Sequence, residues 1–326
     1  MRFLLHVPLP RGTTRGNWIT AMRWANILRT LGHHVRIVDP KEFLTTTSEP
    51  YDTLIALHAR RSARAIQQFR SRSPKSQIIV ALTGTDIHVD LASDSGNFAL
   101  VMQSLKMANR IVLLEAEGIK LLAPQFRSKC AVIYQSSEAS NAPRLQNPEF
   151  FSVSFLAHLR AVKDPFLITN ALKLLPPKSR IHVHHAGQAT TDDYRRQAME
   201  QTDCCPRYDW VGPIEHTKSL ELLANSRLTI LTSHHEGAPS VFSEAAAHGI
   251  PILSTRITAS LGILGRNHPG LFTPGNAKQL AALLIRAESD PQFYDELCIA
   301  TEALKERLSP KRELHSWKAL ISQLPI

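Results

Sequence analysis

Short apolar runs alternate with longer stretches of helical period almost from end to end of this 326-residue chain. Strands separated by helices pair in parallel through crossover connections, so this order of elements predicts a doubly wound α/β architecture. Strands are expected over residues 2–8, 34–39, 52–58, 77–82, 110–114 and 130–134, and again over 151–156, 180–185, 208–211, 227–231 and 251–253. The first helix, residues 17–31, places Ile19, Met22, Ala25, Ile27 and Leu28 near one side, and Gly32 stands where a left-handed cap ends it. Between 137 and 148 the pattern fails, and Asn141-Ala142-Pro143 and Asn147-Pro148 are turn chemistry. At about 100 to 200 residues per domain the length also suits two domains. They are placed at 1–148 and 149–326, the second closing from about residue 291 with helices rich in Leu, Ala, Glu and Lys.

Composition removes other classes. With 43% hydrophobic and 20% charged residues the chain sits near the globular average, away from disordered or collagen-like proteins. No apolar run approaches the roughly 18 residues of a membrane span, and the apolar run within residues 1–8 is too short for a signal segment, so a cytoplasmic location is expected. The 4 cysteines, with Cys204 and Cys205 adjacent, form neither a C-x-x-C pair nor a disulfide framework and read as buried or incidental thiols. Lys and Arg number 38 against 28 Asp and Glu, a net charge of +10. Residues 1–150 hold 19 of these basic side chains and 11 of the acidic ones, so most of the excess lies in the first half. Only 6% of residues are aromatic, and no zinc-finger, RNP or recognition-helix pattern accompanies the charge. The field therefore suits small anionic ligands better than nucleic acid.

The densest chemical cluster runs from Ser233 through His234, His235, Glu236, Gly237, Ala238, Pro239, Ser240 and Val241 to Glu244. A strand is expected to end at Thr232 and a helix to start near Ser240. That loop lies beyond the carboxyl end of a strand, where open α/β sheets bind ligands. Free N–H groups at the helix start suit phosphate or sugar oxygens. A carboxylate accepts hydrogen bonds from two neighbouring hydroxyls, which suits Glu244 to a ribose diol and Glu236 to a hexose. A helix-capping glutamate and a solvent-exposed one is the structural alternative. In the segment 154–165, Asp164 is expected to cap a helix with Pro165 at its first position, so that Lys163 projects near a helix N-terminus. Strand alternation leaves the direction of Arg160 open.

In the first half, Gly12-Thr13-Thr14-Arg15-Gly16-Asn17 follows the first strand and opens a helix, letting backbone amides approach an anion. It matches neither G-x-G-x-x-G nor G-x-x-x-x-G-K-[ST], which disfavours nicotinamide binding and a P-loop. Leu82-Thr83-Gly84-Thr85-Asp86-Ile87 ends the fourth strand and His58-Ala59-Arg60-Arg61-Ser62 follows the third, both on the ligand edge. The guanidinium fork matches tetrahedral oxyanions. Arg64, Arg70, Arg72 and Lys75 follow helix spacing and read as a solvated face. His182 and His184 share one face of a strand beside His185, but with no carboxylate or cysteine placed nearby to complete a site, no metal is expected.

The spacing from Glu236 to Glu244, followed by small residues, Gly249 and Pro251, resembles the nucleotide-sugar loop of retaining GT-B glycosyltransferases. The segment 154–165 resembles the first strand of that family's second domain, whose cationic pair holds the donor diphosphate. Where the family usually has Gly-Arg this chain has Ala157-His158, and Arg160 stands ready to supply the lost charge. Thr83-Gly84-Thr85-Asp86 resembles a His-Gly-Thr-Asp segment of transferases acting on small acceptors, with Thr83 in the histidine's place. An acceptor already anionic at neutral pH needs little from a general base. With Ala59-Arg60-Arg61-Ser62-Ala63, residues 208–212, Leu261-Gly262-Ile263-Leu264-Gly265 and Pro269-Gly270, these segments resemble the selenosugar synthases of selenoneine biosynthesis, a glycosyltransferase family 4-like group, over nearly the whole length. That group usually reads Gly-Gly-Ala-Asn-Val after the loop glutamate, where this chain has Gly237-Ala238-Pro239-Ser240-Val241, and Pro239 removes one N–H donor.

The resemblance implies a GT-B fold: two Rossmann-like domains facing a central cleft, with C-terminal helices returning to the first. It implies a retaining transfer of a sugar, N-acetylglucosamine first, from a UDP-sugar to selenophosphate, with no cofactor and no metal. Lys163, Arg160 and Glu236 are the implied catalytic residues. His158, Lys163, Glu236, Gly237, Ala238, Ser240, Val241 and Glu244 would bind the donor. Gly12, Thr13, Thr14, Gly16, Asn17, Arg60, Arg61, Thr83, Gly84, Thr85 and Asp86 would bind the acceptor. The rivals are a hexosyltransferase with another small anionic or lipid acceptor, a non-catalytic nucleotide-sugar sensor, and a nucleic-acid-binding module. No nucleic-acid partner and no membrane span are expected, and the oligomeric state stays open.

Overall fold

Every strand expected from the apolar runs forms, each within two residues of its expected limits. The computed structural model describes residues 1–11, 16–46, 50–92, 96–140 and 149–325. The expected turns at 141–148 and Gly12, Thr13 and Thr14 lie outside the described residues. Contacts divide the chain into two units: Met1–Gln135 with Glu236–Ala238 and Lys311–Ile326, and Ser136–His235 with Pro239–Pro310.

In the first unit, β1 (Arg2–His6), β2 (His34–Val38), β3 (Thr53–Leu57), β4 (Gln77–Leu82), β5 (Arg110–Leu113) and β6 (Cys130–Val132) lie in the order β2-β1-β3-β4-β5-β6, all parallel. Successive residues of a strand face opposite sides, and here both sides are apolar. Leu4, Leu54, Ala56, Ile78 and Val80 fill one core, and Phe3, Leu5, Ile55, Ile79 and Ala81 the other. The helix Gly16–Thr30 corrects the expected inward face. Trp18, Ala21, Trp24, Ala25 and Leu28 are buried, whereas Ile19 and Met22 are exposed. The indoles decide the rotation because each carries more apolar area than an aliphatic side chain. Trp24 packs edge-on against Trp317, with ring centroids 4.9 Å apart. Gly32 ends the chain's turn at φ +83°, as expected.

The C-terminal helix Pro310–Ile321 returns to this unit, as expected. Trp317, Leu320 and Leu324 join its core, and the buried Glu313 accepts hydrogen bonds from Trp24 Nε1 at 2.8 Å and Arg23 Nε at 3.0 Å. Arg70 is no solvated residue: its guanidinium donates to the carbonyls of Pro74, Ser76 and Met107 and to Asn109 Oδ1, pinning a helix end to the loop before β5.

The second unit holds β7 (Phe151–Leu156), β8 (Ile181–Ala186), β9 (Tyr208–Gly212), β10 (Leu228–Leu231), β11 (Ile252–Thr255) and β12 (Leu271–Phe272), parallel in the order β12-β11-β10-β7-β8-β9. β12 was not expected, since two residues carry no period. Phe151, Val153, Phe155, Val183, Tyr208 and Ile230 build the core on one face. The opposite face carries Ser152, Ser154, His182 and His184 instead. Among the described residues no helix is long and apolar enough to cross a membrane.

Candidate functional site

In the second sheet the order of strands reverses between β7 and β10, and ligands of open α/β sheets bind outside the carboxyl ends at such a reversal. The two loops that leave these ends are tied together. His234 N–H donates to the Val162 carbonyl at 2.9 Å, and Thr232 Oγ1 donates to the Lys163 carbonyl at 2.5 Å. Lys163, half-buried, ends a short 3₁₀ turn, Ala161–Lys163, with the exposed, extended Arg160 just before it. Asp164 departs from its expected role. It takes a left-handed conformation, φ 44° and ψ 58°, and closes the 3₁₀ turn. The following helix, Leu167–Leu172, starts without a side-chain cap. Pro165 disfavours a right-handed helical conformation at the residue before it, and Asp tolerates the left-handed region better than most residues. Asp164 Oδ2 lies 3.7 Å from His234 Nε2. Burial raises its carboxyl pKa and His234 opposes that rise.

His158 turns toward β8, where its Nδ1 accepts the Gln188 N–H at 3.1 Å. The ends of β7 and β8 are so close that a Cβ at Gly187 would stand 1.8 Å from the Ala157 carbonyl oxygen, so only glycine fits. The helix Ser240–His248 opens after Pro239 with no side-chain cap, leaving the first-turn N–H groups at Ser240 and Val241 available to an oxyanion. Glu244 sits one turn in and is buried, with Oε1 3.1 Å from Nε2 of His216, the first residue of the helix His216–Ala224. That hydrogen bond raises the His216 pKa above its ordinary value, with burial opposing. Sequence reasoning missed His216, because no local spacing links it to a carboxylate 28 residues on.

In the first unit, the buried Asp86 accepts the N–H groups of Thr83 at 3.0 Å, Gly84 at 2.9 Å and Ala59 at 2.9 Å, locking together the loops after β3 and β4. Asp86 opens a single π-helical turn, Asp86–Asp90. Asp90 Oδ2 accepts from Arg60 Nε at 2.7 Å, while Arg61 is exposed. His58, buried at φ 68°, holds a conformation uncommon outside glycine. Its Nδ1 receives the Arg61 N–H at 3.4 Å, which leaves Nε2 to carry the proton toward Thr85 Oγ1 at 2.8 Å. Burial lowers its pKa, with Asp86 opposing. The segment Glu236–Ala238 groups with this unit, and a Cβ on Gly237 would stand 2.1 Å from the Thr83 carbonyl oxygen. Gly16 and Asn17 open the first helix.

The expectation that no carboxylate accompanies His182 and His184 is corrected. Asp209 reaches them from β9, its Oδ2 2.6 Å from His182 Nε2 and 3.7 Å from His184 Nδ1. The pair spans two strands, so it leaves no trace in local spacing.

A family model described as "Glycosyl transferases group 1" matches residues 136–303. Glycogen synthase from two strains of Mycobacterium tuberculosis is 28% identical over 127 residues, which is 39% of this chain and 29% of the relative. The match thus spans under a third of those curated relatives. Among solved structures, HepE from Anabaena in complex with UDP and glucose gives a TM-score of 0.78 at 16% identity, covering 99% of this chain and 100% of that one. Sucrose-phosphate synthase from Thermosynechococcus elongatus gives 0.78 at 13% identity, covering 99% and 98%. The pneumococcal O-GlcNAc transferase GtfA, in complex with UDP and GlcNAc, gives 0.66 at 14%, covering 83% and 56%. At such identities the likeness establishes the fold.

Proposed function

The chain belongs to the glycosyl transferases group 1 family and has the GT-B fold, and from that premise we propose that it moves a sugar from a UDP-sugar, N-acetylglucosamine first, to selenophosphate. The observation that carries the donor half is the pair of bonded loops at the strand reversal, which fixes the Lys163 backbone beside the loop leading to the uncapped helix Ser240–His248. In this reading Lys163, with Arg160 or His158, stabilises charge developing on the leaving diphosphate, where preorganised electrostatics has its largest effect. Glu244 accepts from the ribose hydroxyls and Glu236 from the hexose. The selenium of selenophosphate attacks the anomeric carbon, the carbon–selenium bond forms as the carbon–oxygen bond to the β-phosphate breaks, and UDP leaves. Attack on the face that the diphosphate leaves retains configuration without a covalent enzyme intermediate. Hydrolysis of the selenium–phosphorus bond, with water taking the phosphoryl group as inorganic phosphate, then leaves the sugar selenol.

Support for the acceptor is the sequence likeness and the basic first half, with Arg60 and Arg61 after β3 as the oxyanion ligands, the sequence segment 12–17 and residues Thr83 to Thr85 as further acceptor contacts, and Asp86 holding the loop that carries the latter. A lipid acceptor is the second reading. It is favoured by an apolar cavity of about 370 Å³ in the first unit, lined by residues including Leu91, Phe98, Met102 and Leu121, with Arg127 beside them. Pure protein given UDP-N-acetylglucosamine and selenophosphate is expected to release UDP and a selenium-bearing sugar. Turnover only with a lipid acceptor in liposomes would move the assignment to the second reading. UDP-sugar binding without acceptor-dependent UDP release would make the protein a sensor.

A further inference from the structure

The polar face of the second sheet carries a cluster that the proposed transfer does not use. On β8, His182 and His184 are two residues apart and therefore point to the same face. The register pairs His184 with Asp209 of β9, which puts the carboxylate on that face as well. One ligand atom from each of the three lies within 4.8 Å of those of the other two. Parallel sheets ordinarily bury apolar side chains on both faces, as the first sheet here does. The second departs from that rule at β8, which carries both imidazoles.

We infer that His182, His184 and Asp209 form a binding site for one divalent transition-metal ion, with zinc the best match. Two imidazoles and a carboxylate oxygen are zinc's ordinary donors, at about 2.0–2.2 Å from the metal, and three protein ligands leave a fourth position for water. A tetrahedron of that size separates its donor atoms by about 3.4 Å. The two distances from Asp209 Oδ2, 2.6 and 3.7 Å, bracket that value, while the two imidazole nitrogens, within 4.8 Å of each other, have to close by up to about 1.4 Å to share one ion. A simple histidine–carboxylate hydrogen bond accounts for one imidazole. It does not account for the second, whose ring lies 4.8 Å from the first and approaches the same carboxylate oxygen. The Phe150 ring packs 5.2 Å from the His182 ring and limits its rotation. The three side chains are 14%, 30% and 47% exposed, held on rigid strands yet open to an arriving ion. An ion there cross-links β8 to β9, the outermost strand of the sheet, and has no part in the loops at the carboxyl ends of β7 and β10.

The test is calorimetric titration of the tag-free, chelator-stripped full chain with zinc chloride, in a Cys204→Ser background that removes an exposed thiol. One equivalent of zinc is expected, with a rise in melting temperature. Loss of partners that merely orient a ligand costs about 10–100-fold in affinity, so His184→Ala and Asp209→Asn are each expected to weaken binding by about 100-fold or more. His315→Ala, at an exposed histidine of the other unit, is expected to change nothing. Cobalt added to the unaltered chain reads the site without mutation, through visible absorption characteristic of tetrahedral nitrogen and oxygen coordination. UDP binding is expected to persist in both ligand variants. Failure of the unaltered chain to take up zinc or cobalt, or zinc uptake that survives both ligand substitutions, would overturn the inference and leave a hydrogen-bonded histidine–aspartate cluster.

Discussion

At the carboxyl end of the first sheet Asp86 is fully buried and its carboxylate accepts three backbone N–H groups, whereas Glu244, beyond the corresponding end of the second sheet, meets only the His216 ring among the described residues. Both are acidic side chains near the ends of parallel strands. Asp86 is committed to holding loops, and a ligand that took its oxygens would strand buried donors. Glu244 keeps an oxygen to exchange. The difference teaches that position at a ligand edge does not itself identify a ligand group; the count of partners already satisfied does.

The largest effect is expected away from both carboxylates. Lys163→Ala should lower kcat about 10²–10³-fold, the usual cost of removing one preorganised charge-stabilising group, with an unchanged melting curve. Full activity would remove the lysine from the chemistry. Asp86→Ala leaves two buried N–H groups, of Ala59 and Gly84, and the part-buried one of Thr83 without an acceptor, at about 1–3 kcal/mol for each buried group, and should cost about 3 kcal/mol or more in urea unfolding. Its counterpart Glu244→Gln should leave stability nearly unchanged while weakening UDP binding about tenfold, the scale of one charge-assisted hydrogen bond. The reverse outcome, a stable Asp86 variant and an unfolded Glu244 variant, would invert the contrast. The smallest effect concerns pH. Glu244 raises the His216 pKa above 6.5, so the pair's stabilisation is complete below about pH 6.5 and is lost as pH rises through the raised value. His216 is largely exposed, so screening keeps this under about 1 kcal/mol. The stability gap between the unaltered protein and His216→Asn should therefore narrow from pH 6 to 9, and a gap independent of pH would dissociate the pair from that role.

What local periodicity can encode was legible. The strands follow from runs of apolar residues, and the placement of Glu244 one turn into a helix follows from its distance to Pro239 and Ser240. Pairings between distant residues were not legible. His216 with Glu244, Arg60 with Asp90, and Asp209 with His182 join through tertiary folding, and no spacing announces them. The first helix turns inward along Trp18 and Trp24 and not along its aliphatic stripe, because two indoles outweigh in area the aliphatic side chains whose spacing the sequence displays. Asp164 looked like a cap because Asp-Pro commonly begins helices, but the 3₁₀ turn before it needed a residue able to reverse the chain.

The returning helix Pro310–Ile321 bears on how the gene can be cut. Trp24 lies against Trp317, and Arg23 and Trp24 both donate to Glu313. A fragment encoding only the amino-terminal half would leave an indole uncovered and a guanidinium without its counter-ion. Chimeras that exchange one unit between homologues must therefore carry the carboxyl-terminal helix together with the amino-terminal segment, since the inheritable module is discontinuous in the reading frame.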